Sequence, residues 1–269
     1  KFFNIKKIII SSNIKILDKF KLKNNVAIIK TNFKEISKKK ISVKNYDIGF
    51  SYYDFKIPKY ILDGIKIGGV NFHPSYLPYN RGRHSTFWGI VKNTILGASA
   101  HWLNSKFDDG DIIYQEKLNH HETQSAKIIY YRQLKLLKKV MLNTISQIEN
   151  NQIIRIKQNS KKASYHYKSE IKHFTTFKLD SNINNIKLSR IIRGTCFNKK
   201  TGIYLHSLNK KFLINSKFKF EKYKKNKRYN LNFFKVFGKL YNKKKIKFTI
   251  YLNKIKMIVN STVYTKNKI

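Results

Sequence analysis

The sequence predicts an α/β protein: a mostly parallel sheet with helices on both faces, followed by a smaller β-rich domain. Three observations carry this. Short apolar runs at 26–30, 46–53 and 67–73 alternate with polar or helix-patterned connections. A long 3.6-residue periodicity covers 123–149. Beyond about residue 158 the apolar runs alternate at period two and crowd together. The expected division is therefore 1–158 and 159–269.

Taken in order, "VAIIK" at 26–30 and "YDIGFSYY" at 46–53 read as buried strands. "IPKYILDG" at 57–64 reads as a short helix, opened by Pro58 and closed by Gly64. "IGGVNFH" at 67–73 is the next strand. "HSTFWGIVKN" at 84–93 has helical spacing, with Phe87, Ile90 and Val91 on one face. Strands follow at 97–104 and 111–118. In the long helix, Ile128, Tyr131, Leu134, Val140, Thr144 and Ile148 fall near one stripe, and Thr123 is placed to cap it. After a polar connector, 185–194 reads as a helix ended by Gly194, and 202–215 as a hairpin about Asn209 and Lys210.

Composition bounds the chemistry. No run of eighteen or more apolar residues predicts a membrane-spanning helix. One cysteine, Cys196, excludes an internal disulfide and a cysteine-based zinc site, and fits a reducing cytoplasm. The 57 basic residues against 14 acidic give a formal charge of +43. Clustered positive charge suits nucleic acid. Only seven of those residues are Arg, however, the residue that carries most base-edge and bidentate phosphate recognition. Abundant Lys, Asn and Ile together read instead as compositional drift. Either origin produces a field that attracts anions.

Against this background "NFHPSYLPYNRGRHSTFWGI" at 71–90 and "FDDGDIIYQ" at 107–115 stand out. Asn71 and His73 are two residues apart on a strand, so they share a face at its carboxyl edge, where open sheets keep their ligand crevices. An amide donor, a titratable donor and a nearby carboxylate suit attack on a carbonyl carbon. No residue reads as an activated protein nucleophile, so the nucleophile is expected from the substrate. His120 and His121 lack a third ligand at metal spacing and read as a solvated strand end. Phe87 and Trp88 read as core, not as a stacking platform.

Asn-x-His-x-Ser-x-Leu-Pro, then Arg-Gly, then "LGASAHW" at 96–102, then Asp-x-Gly-Asp-Ile-Ile resembles the signature of the folate-dependent formyltransferases. Order and spacing agree across 67–118, and weaker likeness continues through the long helix, "ASYHYK" at 163–168 and 189–204. The resemblance implies a Rossmann-like catalytic domain and a formyl donor, 10-formyltetrahydrofolate, with no metal. It assigns Asn71 and His73 to the developing oxyanion, and Asp108 to positioning His73 and relaying the proton lost by the amine. It places Ser75, Leu77, Pro78, His101 and Asp111 beside the folate, and Tyr79, Arg81 and His84 toward the acceptor. The loop "PYNRGRHSTFWGI" is similar to the branch that acts on nucleotide-linked amino sugars. The branch acting on methionyl-tRNA remains the alternative, supported by the basic tail. A non-catalytic RNA-binding protein on the same fold is the second alternative. Members usually carry one more strand–helix unit before the trio than 71 residues hold, so a missing first unit is expected. No pattern in the chain specifies an oligomeric state.

Overall fold

The structure is a computed structural model, and it describes residues 5, 7–11, 27–31, 45–52, 55–178, 182–197, 202–207, 210–222, 233–235, 239–241, 245–251 and 255–265. Strands β1 (Lys7–Ser11) and β2 (Ala27–Thr31) pair in parallel. Next come β3 (Tyr46–Ser51), helix α1 (Lys59–Asp63) and β4 (Ile65–His73). A two-residue strand β5 (Arg81–Gly82) leads into α2 (Ser85–Lys92), β6 (Gly97–Trp102) and β7 (Ile112–Lys117). Helix α3 (Ala126–Glu149) follows.

The sheet carrying the motif has the order β3-β4-β6-β7. β3 is parallel to β4, as strand–helix alternation leads one to expect. β6 and β7 run antiparallel to their neighbours. Length explains the reversal. Eight-residue α2 advances the chain about 12 Å, whereas nine-residue β4 spans roughly 30 Å. The helix cannot return the chain to the far end of the sheet. β6 therefore starts from the rim where β4 ends, and His73 lies opposite Ser99.

Helix α3 covers one face of this sheet. Leu137, Val140 and Ile148 pack with Val70, Phe72, Ala98, Ala100, Trp102 and Ile113 in a buried cluster. The cap is Ser125, whose side chain accepts from the Ile128 N–H, not Thr123. The expected stripe is also out of phase in its first half. Ile128 and Tyr131 are exposed, while Ile129 and Gln133 are fully buried. A polar residue held the stripe position, which hid the phase from a search for apolar periodicity. Gln133 is satisfied there: its Nε2 donates to Pro74 O at 2.7 Å and Gly97 O at 3.0 Å, and its Oε1 accepts from Thr86 Oγ1 at 2.6 Å. One side chain thus ties α3 to the exit of β4, the entry of β6 and helix α2.

After α3 the chain runs back along the rim, and β8 (Tyr165–His166) pairs in parallel with β5. Helix α4 (Ile171–Thr175), β9 (Thr176–Lys178), β10 (Asn182–Asn184) and α5 (Asn185–Thr195) follow. Asn184 caps α5 through its Oδ1. Gly194 does not close this helix, which ends one residue later; it faces the Phe87 ring of α2, which a Cβ there would approach at 2.8 Å. The second sheet has six strands and includes β11 (Ile203–Ser207) paired antiparallel to β12 (Lys210–Lys222), with residues 208–209 outside the described set. Phe87 and Trp88 are core, Trp88 fully so. Among the described residues no helix is long and apolar enough to cross a membrane.

Candidate active site

The carboxyl rim of β4 presents Asn71 and His73, both nearly buried. The loop after β6 brings Asp108 onto the same point. Its carboxylate lies 3.8 Å from His73 Nε2, 3.5 Å from Asn71 Nδ2 and 3.5 Å from His101 Nε2. The Gly82 N–H donates to Asp108 Oδ2 at 2.8 Å. The sequence-predicted trio therefore converges, although Asn71 and Asp108 are 37 positions apart.

Proton placement follows from the partners. His73 Nε2 faces two acceptors, Asn80 O at 3.4 Å and the Asp108 carboxylate, so it carries hydrogen. His101 Nδ1 faces Trp102 O at 2.9 Å and donates to it. Its Nε2 lies 3.2 Å from the Asn71 amide nitrogen and 3.5 Å from the Asp108 carboxylate, so His101 joins the two. Burial by itself pushes the Asp108 carboxyl pKa up. His73, the His101 hydrogen bond and the Gly82 N–H outweigh burial and hold it well below the usual carboxylate range. Asp108 is thus an ionised, nearly enclosed carboxylate.

The backbone of this loop is unusual and well braced. Asp108 has φ 51°, in the left-handed region that costs a non-glycine residue energy. Gln158 holds it there, its Nε2 donating to Asp108 O at 2.9 Å and to Gly110 O at 2.8 Å. Arg81 completes the brace, donating to Gln158 Oε1 at 2.8 and 3.1 Å and pairing with Asp109. Gly110 is required, since a Cβ there would meet Trp102 O at 1.7 Å.

Several residues expected beside the ligands make contacts within the protein. His101, expected beside the folate, is buried and turned to Asn71. Arg81, expected toward the acceptor, pairs with Asp109 and donates to Gln158. Ser75 and Leu77 are buried. Ser75 Oγ donates to Tyr79 O, and the Leu77 backbone N–H donates to Ser99 Oγ, so both shape the turn from within. Pro78 is buried too, in a cis peptide after Leu77. Tyr79 and Asp111 are half-buried, and His84 is exposed at the start of α2. The sequence reading missed Gln158, which sits in a connector with no motif around it. It also missed Asn80, which is buried and left-handed and donates to Thr94 Oγ1 at 2.8 Å.

A small cavity opens against the trio. Its lining includes Asn71, Asp108, Phe55, Ile57, Leu103 and Phe107. Ser51, Lys56, Asn104 and Lys106 complete the lining, so apolar and polar walls meet at the Asn71 amide and the Asp108 carboxylate. Among the described residues no group of three or more His, Cys, Asp and Glu is placed to hold a metal ion.

An α/β sheet whose rim joins amide, imidazole and carboxylate has the groups that can polarise a carbonyl. Residues 50–145 match the family model described as formyl transferase. A methionyl-tRNA formyltransferase of Alkaliphilus oremlandii is 32% identical over 140 residues, 52% of this chain and 44% of that protein. A GDP-perosamine N-formyltransferase of Brucella melitensis is 38% identical over 84 residues, 31% of this chain and 32% of that protein. The matches thus span less than half the length of these relatives. Among solved structures, a 4-N formyltransferase from Francisella tularensis superposes with TM-score 0.63 at 24% identity, covering 76% of this chain and 93% of that one. The N-formyltransferase from Helicobacter canadensis, solved with folinic acid and dTDP-3-aminofucose, gives 0.61 at 18% identity, covering 97% and 100%. These superpositions show the shared fold.

Proposed function

We propose that the protein transfers a formyl group from 10-formyltetrahydrofolate to the amine of a nucleotide-linked amino sugar. The observation that carries the transfer is the convergence of Asn71, His73 and Asp108 at one rim. The Asn71 N–H and the His73 Nε2–H are the donors for an oxygen that gains negative charge when an amine attacks a formyl carbon. Preorganised donors of this kind contribute about a hundredfold or more in rate each. Asp108 is ionised, so it can take the proton released by the amine and hold His73 in its donating form. The cavity lined by Phe55, Ile57, Leu103 and Phe107 would hold the folate ring, which supplies the activated formyl group. Asp111 and Pro78 lie in the loops flanking this rim.

For the acceptor, the "PYNRGRH" loop and the 38% identity with a GDP-perosamine N-formyltransferase favour an amino sugar. Two features favour methionyl-tRNA as a second reading: 32% identity over 140 residues with an enzyme of that name, and the +43 charge. The test is formyl transfer to a panel of nucleotide-linked amino sugars beside methionyl-tRNA. Turnover on a sugar supports the first reading. Turnover on tRNA alone replaces it with the second. No turnover, with salt-sensitive RNA binding, replaces both with a binding protein.

A further inference from the structure

Large exposed rings usually lie scattered on a protein surface; here three gather at the rim of the site. Phe107 is 40% exposed, Tyr165 36% and Tyr167 63%. The Phe107 and Tyr165 centroids are 6.4 Å apart, those of Tyr165 and Tyr167 4.8 Å.

The chain holds these rings outward by design of the strand. Alternate residues of β8 face opposite ways. His166, between the two tyrosines, is buried and stacks on Trp88 with centroids 4.1 Å apart. Its Nδ1 meets Glu170 at 3.2 Å, and the other Glu170 oxygen accepts from the Tyr167 N–H at 2.8 Å. The inward anchor therefore fixes Tyr165 and Tyr167 on the outer face at little further entropic cost on binding.

The cluster is coupled to the reaction centre. Phe107 immediately precedes Asp108 and also lines the cavity beside Asn71. The Tyr165 ring lies over Gly82, where a Cβ would stand 3.1 Å from its Cε2, and Gly82 is the backbone donor to Asp108. Arg83, the next residue, sets its guanidinium 5.1 Å over the Phe55 ring and lies close enough to Tyr165 to act on its phenol. The rim thus has rings and a cation beside the cavity, whose lining includes both Phe55 and Phe107.

We propose that Phe107, Tyr165 and Tyr167 form a stacking shelf for the nucleobase of the acceptor, with Arg83 meeting its diphosphate. This rests on the nucleotide-sugar reading above. A base stacked on exposed aromatic rings, with its phosphates against a guanidinium, is recognised without base-specific hydrogen bonds. The shelf then holds the amino sugar beside Asp108, which Phe107 immediately precedes.

The wild-type chain is assayed first, with the nucleotide-sugar panel and with UDP, GDP and dTDP as bare nucleotide probes in calorimetry. Tyr167→Ala, Tyr167→Phe and Arg83→Gln are then compared, with thermal melts to confirm folding. Tyr167→Ala is expected to raise the KM for the nucleotide sugar, and the Kd for the bare diphosphate, by about tenfold. The folate KM and kcat should change far less, and Tyr167→Phe should restore binding. Arg83→Gln should weaken the diphosphate probe but not the corresponding nucleoside. If the wild type turns over a nucleotide sugar and Tyr167→Ala leaves its KM in place, the shelf is wrong while the function stands. If the wild type neither turns over nor binds any nucleotide-linked substrate, the functional reading fails and the shelf with it.

Discussion

The rim of β4 and β6 and the second sheet belong to one Lys-rich, Ile-rich chain, yet the rim departs from that composition and the second sheet follows it. At the rim almost every polar group has a named partner. Asn71, His73, His101 and Asp108 bond to one another, and Gln158 and Arg81 brace the loop that carries Asp108. The second sheet is regular: β12 pairs with the strand Ile255–Thr265 in unbroken antiparallel register from Phe212 to Lys222. Buried polar networks fix residue identity, because each unsatisfied member costs free energy. A regular ladder fixes only alternation, so its residues are free to drift toward Lys. The difference teaches where substitutions should matter.

The largest effect is expected at Asp108. Asp108→Asn keeps the shape but removes the charge that faces His73 and that, in the proposed reaction, accepts the proton from the amine. Formyl transfer should fall by about a hundredfold to ten-thousandfold, read as kcat against an intact thermal melt. A smaller loss at Asp108 than at a lysine of β12 would break the contrast between the two regions.

Next comes Gln158→Leu, which strips the brace but touches no reacting atom. It should lower kcat by about tenfold or more through a misplaced Asp108, with less change in either KM. Gln133→Leu sharpens the same contrast in stability. It leaves Gly97 O and Thr86 Oγ1 without their buried partner, and should cost about 1–3 kcal/mol in chemical denaturation.

The legibility of the chain follows the same division. Asn71, His73 and Asp108 were readable because acids and paired special residues depart from the background composition. The strands and helices of 46–149 were readable from apolar period, except where Gln133 replaced an apolar residue and Ser125 took the cap from Thr123. The direction of β6 was hidden because it depends on the length of α2 against β4, a relation between elements and not a local pattern. Gln158, and the inward turns of His101 and Arg81, were hidden because side-chain direction in a loop has no period. The first strand pair, β1 and β2, is parallel, but segment 12–26 between them and segment 32–44 after β2 lie outside the described residues.

A pH effect is expected between these extremes. Burial and Lys92 push the His166 pKa down, outweighing its bond to Glu170. A depressed value in the folded state means stability is fully present above the unfolded value of about 6.5 and is lost as pH falls through the folded value. Melting temperature should therefore decline below pH 6.5, and His166→Phe should flatten that decline. Asp108, also depressed, adds its loss only below about pH 4.

The smallest effect should come from salt. An acceptor with one diphosphate should lose little affinity between 50 and 200 mM salt, whereas a partner contacting six to ten phosphates would lose about a thousandfold or more. A steep salt dependence of acceptor KM would make the Lys-rich sheet functional and erase the contrast.

The most direct test of the central claim is the rate of formyl transfer by the wild type and by His73→Asn, measured on the same acceptor with matched thermal melts. The account predicts that transfer falls by about a hundredfold or more while the protein stays folded. Undiminished transfer by His73→Asn would contradict it, and would place the chemistry elsewhere than the rim of β4.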